Sequence, residues 1–229
     1  MELFIQVMEK LSCGFLATLS LFVLTLVLSL PLGLFTSFLT MSRIKPVRYV
    51  AKIFVWILRG TPLMLQIFAI FYLPGLVFGW TWPRISFGIL WVDRIFSERF
   101  IAALVAFVIN YAAYFSEIFR GGIQSVSEGQ YEAGQVLGLT RRQTFRNVIL
   151  LQVIKRIIPP MSNEIITLVK DTSLANTIIV CELIYEAKDF MSEGLIWPLF
   201  AAGGFYLIFV GLLTVLLGRL ERRLDYFKA

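Results

Sequence analysis

The sequence predicts an all-α membrane protein that crosses the bilayer about five times. Three observations carry that reading. Hydrophobic residues fill 58% of the 229 positions and the mean hydropathy is +0.80, above the roughly 45–50% apolar content of soluble domains. Apolar stretches of about 18 residues or more recur along the chain, which is the length a helix needs to cross hydrocarbon. The formal charge of +6, from 21 Lys and Arg against 15 Asp and Glu, is spread over loops and not gathered on one patch. It therefore reads as orientation in a bilayer and argues against nucleic-acid binding.

The first apolar segment runs from about Leu11 to Met41, with Pro31 and Gly33 expected to interrupt it. It is longer than a signal-peptide core and no small-residue cleavage site follows, so it is expected to be a retained span. The second, from about Val47 to Phe78, contains Gly60, Thr61 and Pro62, and the third runs from about Phe100 to Phe119. The fourth, from about Val148 to Val169, is irregular because it holds Lys155, Arg156, the Pro159–Pro160 pair, Asn163 and Glu164. The fifth covers about Leu195 to Leu217. Together they make one transmembrane domain over residues 1–229, without internal repeats or low-complexity stretches.

Loop charge sets the expected orientation. Arg43, Lys45, Arg48 and Lys52 lie between spans one and two; Arg120, Arg141, Arg142, Arg146, Lys155 and Arg156 flank the third connection; Arg219, Arg222, Arg223 and Lys228 follow span five. All three regions fall on one side, which the positive-inside rule makes cytoplasmic, leaving the N-terminus outside and the C-terminus inside. Lys170 to Glu193 carries three net negative charges and belongs outside. Trp80, Trp82 and Trp91 suit an outer interfacial belt.

Chemistry is bounded by what is missing. The chain has no histidine, and Cys13 and Cys181 are far apart in sequence, so neither His-based catalysis nor a metal or disulfide framework is visible. Both cysteines read as packing residues. No G-x-x-x-x-G-K-[ST] phosphate loop occurs. The chain is expected to be no enzyme, with no cofactor of its own.

Between spans three and four, Ser125 to Thr144 is too polar for lipid yet patterned as structure. Ser127 and Gln130 have capping-box spacing, Gly138 is a helix-stopping glycine, and Thr140 with Gln143 offers a second start. A helix of about ten residues, near 15 Å long, should lie between them. It would show Ala133, Val136 and Leu137 on one side, with Glu132 and Gln135 among the polar positions. Such a helix suits a groove on a partner, or else the bilayer surface.

An ionisable side chain inside a span is a functional candidate by default. Glu164 and Asn163, side by side just after the proline pair, are the first candidates for substrate contact, since that pair is expected to break the helix and free backbone groups for a ligand. The Glu164 carboxylate could meet an α-ammonium, or pair with Lys170 or Arg120. Asn110, and Thr61 and Met64 beside Pro62, are further candidates for substrate contact. Asn110 could equally bond between helices, and Met64 could simply pack. Glu117 and Arg120, at i and i+3, are expected to pair on the helix surface.

The run Glu132-Ala133-Gly134, then Gly138 and Ile149, resembles the signature loop of membrane subunits of ATP-binding-cassette importers. That family typically has alanine at Gly134 and proline at Leu151. The blocks Arg59-Gly60-Thr61-Pro62-Leu63, Ala112 to Ile123, Gly129-Gln130, Pro159 to Glu164 and Lys170 to Leu174 resemble the permeases of polar amino acids, in order and over nearly the whole chain. The resemblance implies a type I importer permease fold with a cytoplasmic coupling helix, in a bacterial inner membrane. It implies an ATPase that binds ATP and magnesium and docks around Glu132, Ala133, Gly138 and Arg141. It also implies a second permease subunit, identical or paralogous, an extracytoplasmic amino acid binding protein and surrounding lipid. An ion-gradient-driven secondary amino acid transporter is the alternative, with Glu164 as its ion site, and a scaffold that only recruits a partner is a third reading.

Overall fold

A computed structural model describes residues 1–84 and 88–224. Lys228 and the Trp91 side chain, both invoked above, lie outside the described residues. The described chain is built of helices. The long ones are α1 (Glu2–Thr40), α2 (Lys45–Gly60), α3 (Leu63–Phe78), α5 (Glu98–Gln124), α8 (Leu150–Asp171) and α10 (Trp197–Leu224). Shorter pieces connect them: α4 (Leu90–Ile95), α6 (Glu128–Val136), α7 (Arg141–Thr144), a π-helical turn (Phe145–Ile149), a 3₁₀ segment (Thr172–Ile178) and α9 (Leu183–Ser192).

Two expected interruptions do not occur. Helix α1 runs 39 residues straight through Pro31 and Gly33. A mid-helix proline removes one hydrogen bond, whereas ending the helix in lipid would strand several backbone groups, so continuation wins. Helix α8 likewise continues through Pro159 and Pro160. Its irregular turn lies earlier, in the π-helical Phe145–Ile149.

Gly33 is a contact point and not a stop. A β-carbon there would sit 2.8 Å from Phe115 Cβ and 3.0 Å from the Ala112 carbonyl oxygen, so the backbones of α1 and α5 meet at this residue. Helix α1 buries the small residues Ala17, Thr25, Ser29, Thr36 and Ser37, and α5, its main packing partner, buries Ala102, Ala103, Ala106, Ala112 and Ala113. Small residues let helices approach closely where no hydrophobic drive operates between them. The hydroxyls of Thr36 and Ser37 bond back to the carbonyls of Leu32 and Leu34, which lets polar side chains sit in the seam. Around it Leu21, Ile67, Phe107, Tyr111, Phe115 and Leu168 close the main core.

The second apolar segment is bent by 108° between α2 and α3. Among the described residues three helices, α1, α5 and α10, are each long and apolar enough to cross a membrane, and the α2–α3 pair is a fourth candidate. Helix α8 stands outside that set because Lys155, Arg156, Glu164, Lys170 and Asp171 lie within it.

Trp82 and helix α4, on either side of the second long connection, are tied back to the other helices. Pro74 in α3 cannot donate to the Ile70 carbonyl, and the indole N–H of Trp82 does so at 3.2 Å. Arg94 of α4 pairs at 2.5 Å with Glu186 of α9, which is 1% exposed. Burial raises the Glu186 carboxyl and Arg94 opposes that shift. Glu182 caps α9, accepting from the backbone N–H groups of Ile184 and Tyr185 at 2.8 Å each, and burial pushes its carboxyl up to about 7. Cys13 and Cys181 are both free and half-buried.

Gly33→Val would force α1 and α5 apart. A loss of about 1–3 kcal/mol in stability is expected from overpacking at such a site, read as a lower thermal midpoint of the detergent-purified chain. An unchanged midpoint would mean that the seam does not hold the helices together.

Candidate functional site

The break at Gly60-Thr61-Pro62 exposes backbone groups that a continuous helix would have used. Pro62 has no N–H, and Thr61 is extended at φ −117°, ψ 143°. Gln66, one turn into α3, repairs the damage: its Nε2 donates to the Leu58 carbonyl at 2.7 Å, to the Thr61 carbonyl at 3.1 Å and to Thr61 Oγ1 at 2.9 Å. Its Oε1 in turn accepts from Asn110 Nδ2 of α5 at 3.0 Å. Asn110 thus fills the interhelical bonding role open to it, and the bent pair is anchored to the central helix. Gln66 was not among the expected residues. A polar side chain four residues after an in-span proline was the available signal.

Beside this joint lies an open cavity of about 520 Å³, lined by Arg59, Gly60, Thr61, Pro62, Leu63, Asn110, Tyr111, Tyr114, Glu164, Thr167, Asp171 and Leu174. Of the five residues named for substrate contact, Glu164, Asn110 and Thr61 line it. Asn163 and Met64 are exposed and do not. Glu164 makes no ion pair within 4.0 Å among the described residues. Arg120, one of its possible partners, holds Glu117 by two bonds and Gln124 by a third. Arg59 reaches Glu117 at 3.6 Å and stacks over Tyr114 at 5.2 Å. Asp171 accepts from the Tyr111 hydroxyl at 2.7 Å. Arg59, Tyr111 and Asp171 were missed as cavity residues, because only the fold brings α2, α5 and α8 to one place.

The polar loop holds a helix where its pattern puts one, Glu128–Val136, ended by Gly138 at φ +72°. Thr140 and Gln143 form the complete capping box that opens α7. The first expected box is not made: Ser127 contributes no side-chain bond, and Gln130 accepts instead from Gln152 at 3.3 Å. Arg156 donates to the Ser125 carbonyl, which ties α8 to the end of α5. Glu132, Ala133, Gly138 and Arg141 are all exposed, as are Val136 and Leu137. Gly134 is buried, and a β-carbon on it would lie 2.5 Å from both Cγ2 and Oγ1 of Thr144. Glycine stands here because Thr144 fills the space.

A family model described as "Binding-protein-dependent transport system inner membrane component" matches residues 29–226. The chain belongs to that family. This permease is 38% identical over 222 residues to the L-cystine transport system permease protein TcyB of Bacillus subtilis, covering 96% of this chain and 88% of that protein. It is 33% identical over 217 residues to the arginine ABC transporter permease protein ArtM of Haemophilus influenzae, covering 94% and 92%. Its fold matches the crystal structure of an amino acid ABC transporter with histidines at a TM-score of 0.82, with 31% identity over 96% of each chain. An inward-facing MetNI methionine ABC transporter shares the fold alone, at 15% identity and a TM-score of 0.62. The permease is therefore an inner-membrane component of a transport system whose family works with a binding protein and an ATPase.

Three substitutions probe these joints. Gln66→Leu leaves the Thr61 carbonyl without its partner, and the Leu58 carbonyl and Asn110 amide with only the 3.4 Å bond between them; it should cost about 1–3 kcal/mol. Thermal unfolding of the purified permease would show it, and a midpoint equal to wild type would remove the assigned role. Gly134→Ala should lower the midpoint as well, and Thr144→Ser, which deletes the clashing methyl, should restore part of the loss. Failure of the second change to improve on the first would mean that Thr144 does not set the residue at 134.

Proposed function

We propose that the chain carries polar amino acids into the cytoplasm by alternating access, and that the cavity beside the α2–α3 joint is where substrate sits. The observation that carries this reading is the mixed charge of the cavity. A guanidinium, Arg59, and two carboxyl groups, Glu164 and Asp171, face one space with the hydroxyl-bearing Thr61, Tyr111, Tyr114 and Thr167. A free amino acid needs one cation for its α-carboxylate and one carboxylate for its α-ammonium, and both are there. The first turn of α3 adds backbone N–H groups at the positive end of a helix, an arrangement that broken transporter helices use toward anionic substrate groups. The volume, about 520 Å³, lies in the ordinary range for small-molecule sites, about 300–1,000 Å³. Names of relatives such as those for cystine and arginine support amino acids as the class.

The motor is a separate ATPase that binds ATP and magnesium and docks on α6, touching Glu132, Ala133, Gly138 and Arg141. Exposure of Val136 and Leu137 at the tip of that loop supports a covered surface in the assembled transporter. A second permease subunit, identical or paralogous, completes the path. Helix α8 counts as a fifth span when its charged face looks into that path and not into lipid. The basic loops then lie inside, the N-terminus outside and the C-terminus inside.

The test is uptake of labelled amino acids by vesicles holding the permease, its ATPase and its binding protein. Glu164→Gln removes a charge-assisted contact and should lower uptake roughly 10-fold or more. Wild-type uptake by that variant would exclude Glu164 from the site. Uptake by the permease alone under an imposed ion gradient would instead establish the secondary-transporter alternative.

A further inference from the structure

Helix α2 has a three-tier surface that the transport reading does not use. At 100° per residue, Lys45, Arg48, Lys52 and Arg59 fall within an arc of about 60°. Next around the helix come Trp56 and Tyr49, 74% and 70% exposed. Beyond them lie Ile53, Ile57, Val50, Phe54 and Val47, all exposed. Only Ala51 and Val55 are buried against the body. Charge, then amphipathic aromatic rings, then aliphatic side chains is the order of a helix lying in a membrane–water interface.

The orientation of α2 agrees with that order. It turns from α3 by 108° and so runs across the direction that α3 follows. A helix so inclined cannot bury its length in hydrocarbon. Its apolar side continues into a groove of about 520 Å³ against α1, lined by Leu32, Phe35, Leu39, Val47, Val50 and Phe54 among others, with room for acyl chains. Its charged side forms an open concavity of about 600 Å³ lined by Lys45, Pro46, Arg48, Tyr49 and Lys52.

No acid occurs in the sequence between Glu9 and Asp93. Glu117, within electrostatic reach of Lys52, is already held by Arg120 and Arg59. Arg59 is thereby engaged, while Lys45, Arg48 and Lys52 face outward without an ion pair among the described residues. We propose that α2 is an interfacial helix whose Lys45, Arg48 and Lys52 bind the phosphates of anionic phospholipids, with Tyr49 and Trp56 seated at headgroup depth.

Trp56 reports the contact. The purified permease is reconstituted in vesicles containing brominated phosphatidylglycerol or, at equal mole fraction, brominated phosphatidylcholine, and the Trp56 contribution is taken as the difference from Trp56→Phe. Quenching of Trp56 by the anionic lipid should exceed that by the neutral one at least about threefold, as cations near an anionic surface enrich it. The excess should vanish in Lys45→Gln/Arg48→Gln/Lys52→Gln, and in wild type it should fall as added salt shortens the screening length. Equal quenching by both lipids would overturn the proposal, as would an excess insensitive to both salt and the triple variant. Absence of quenching by either lipid would overturn it too, and would mark this face as covered by a second copy of the chain.

Discussion

A peptide group left unpaired away from water costs several kcal/mol, and that constraint shapes this molecule most sharply at Gly60-Thr61-Pro62. The chain stops being helical there, and the freed carbonyls of Leu58 and Thr61 must find donors. Gln66 supplies them and is itself held by Asn110 of α5. The direction of α2, the start of α3 and the walls of the cavity follow from that joint. Were the carbonyls unsatisfied, a straight helix would be the better solution, and Arg59 would not face Glu164 and Asp171 across one space.

The same constraint explains why prolines elsewhere leave no break. Pro31, Pro159 and Pro160 each remove a single bond from an otherwise intact ladder. Pro74 does so too, and a neighbouring indole N–H replaces its missing donor. What separates these sites from Pro62 is the company the proline keeps: Gly60 and Thr61 precede Pro62, one permissive and one held extended, with a glutamine waiting one turn on. Broken and unbroken helices thus coexist in one chain without any contradiction of proline's chemistry.

Glycine shows a parallel lesson. Gly33 and Gly134 are both places where a neighbouring group occupies the volume of a β-carbon, Phe115 and Ala112 in one case and Thr144 in the other. Gly138 is of the other kind, needed for a backbone angle of +72° that ends α6. From sequence, a glycine that stops a helix and a glycine that admits a neighbour look alike. The stop at Gly138 was legible because a capping pattern restarts at Thr140; the contact at Gly33 was not, because its partner lies 82 positions away on α5.

Composition and periodicity by themselves determined that the chain is helical and membrane-spanning, and they located α6 and the cap of α7, since these depend on side chains within a few residues of one another. Motif blocks added the family. The cavity was only half visible: Glu164, Asn110 and Thr61 stood out as polar groups in apolar surroundings, whereas Arg59 stood only within a motif block and Asp171 within an acidic outer stretch. Tertiary structure decided that these belong together, and that Gln66, not a proline, is the residue on which the joint turns. The physical reason is separation. Hydropathy and capping act over one or two turns, but a site assembled from α2, α5 and α8 rests on contacts between residues 50 or more positions apart, such as the 52 between Leu58 and Asn110 and the 60 between Tyr111 and Asp171.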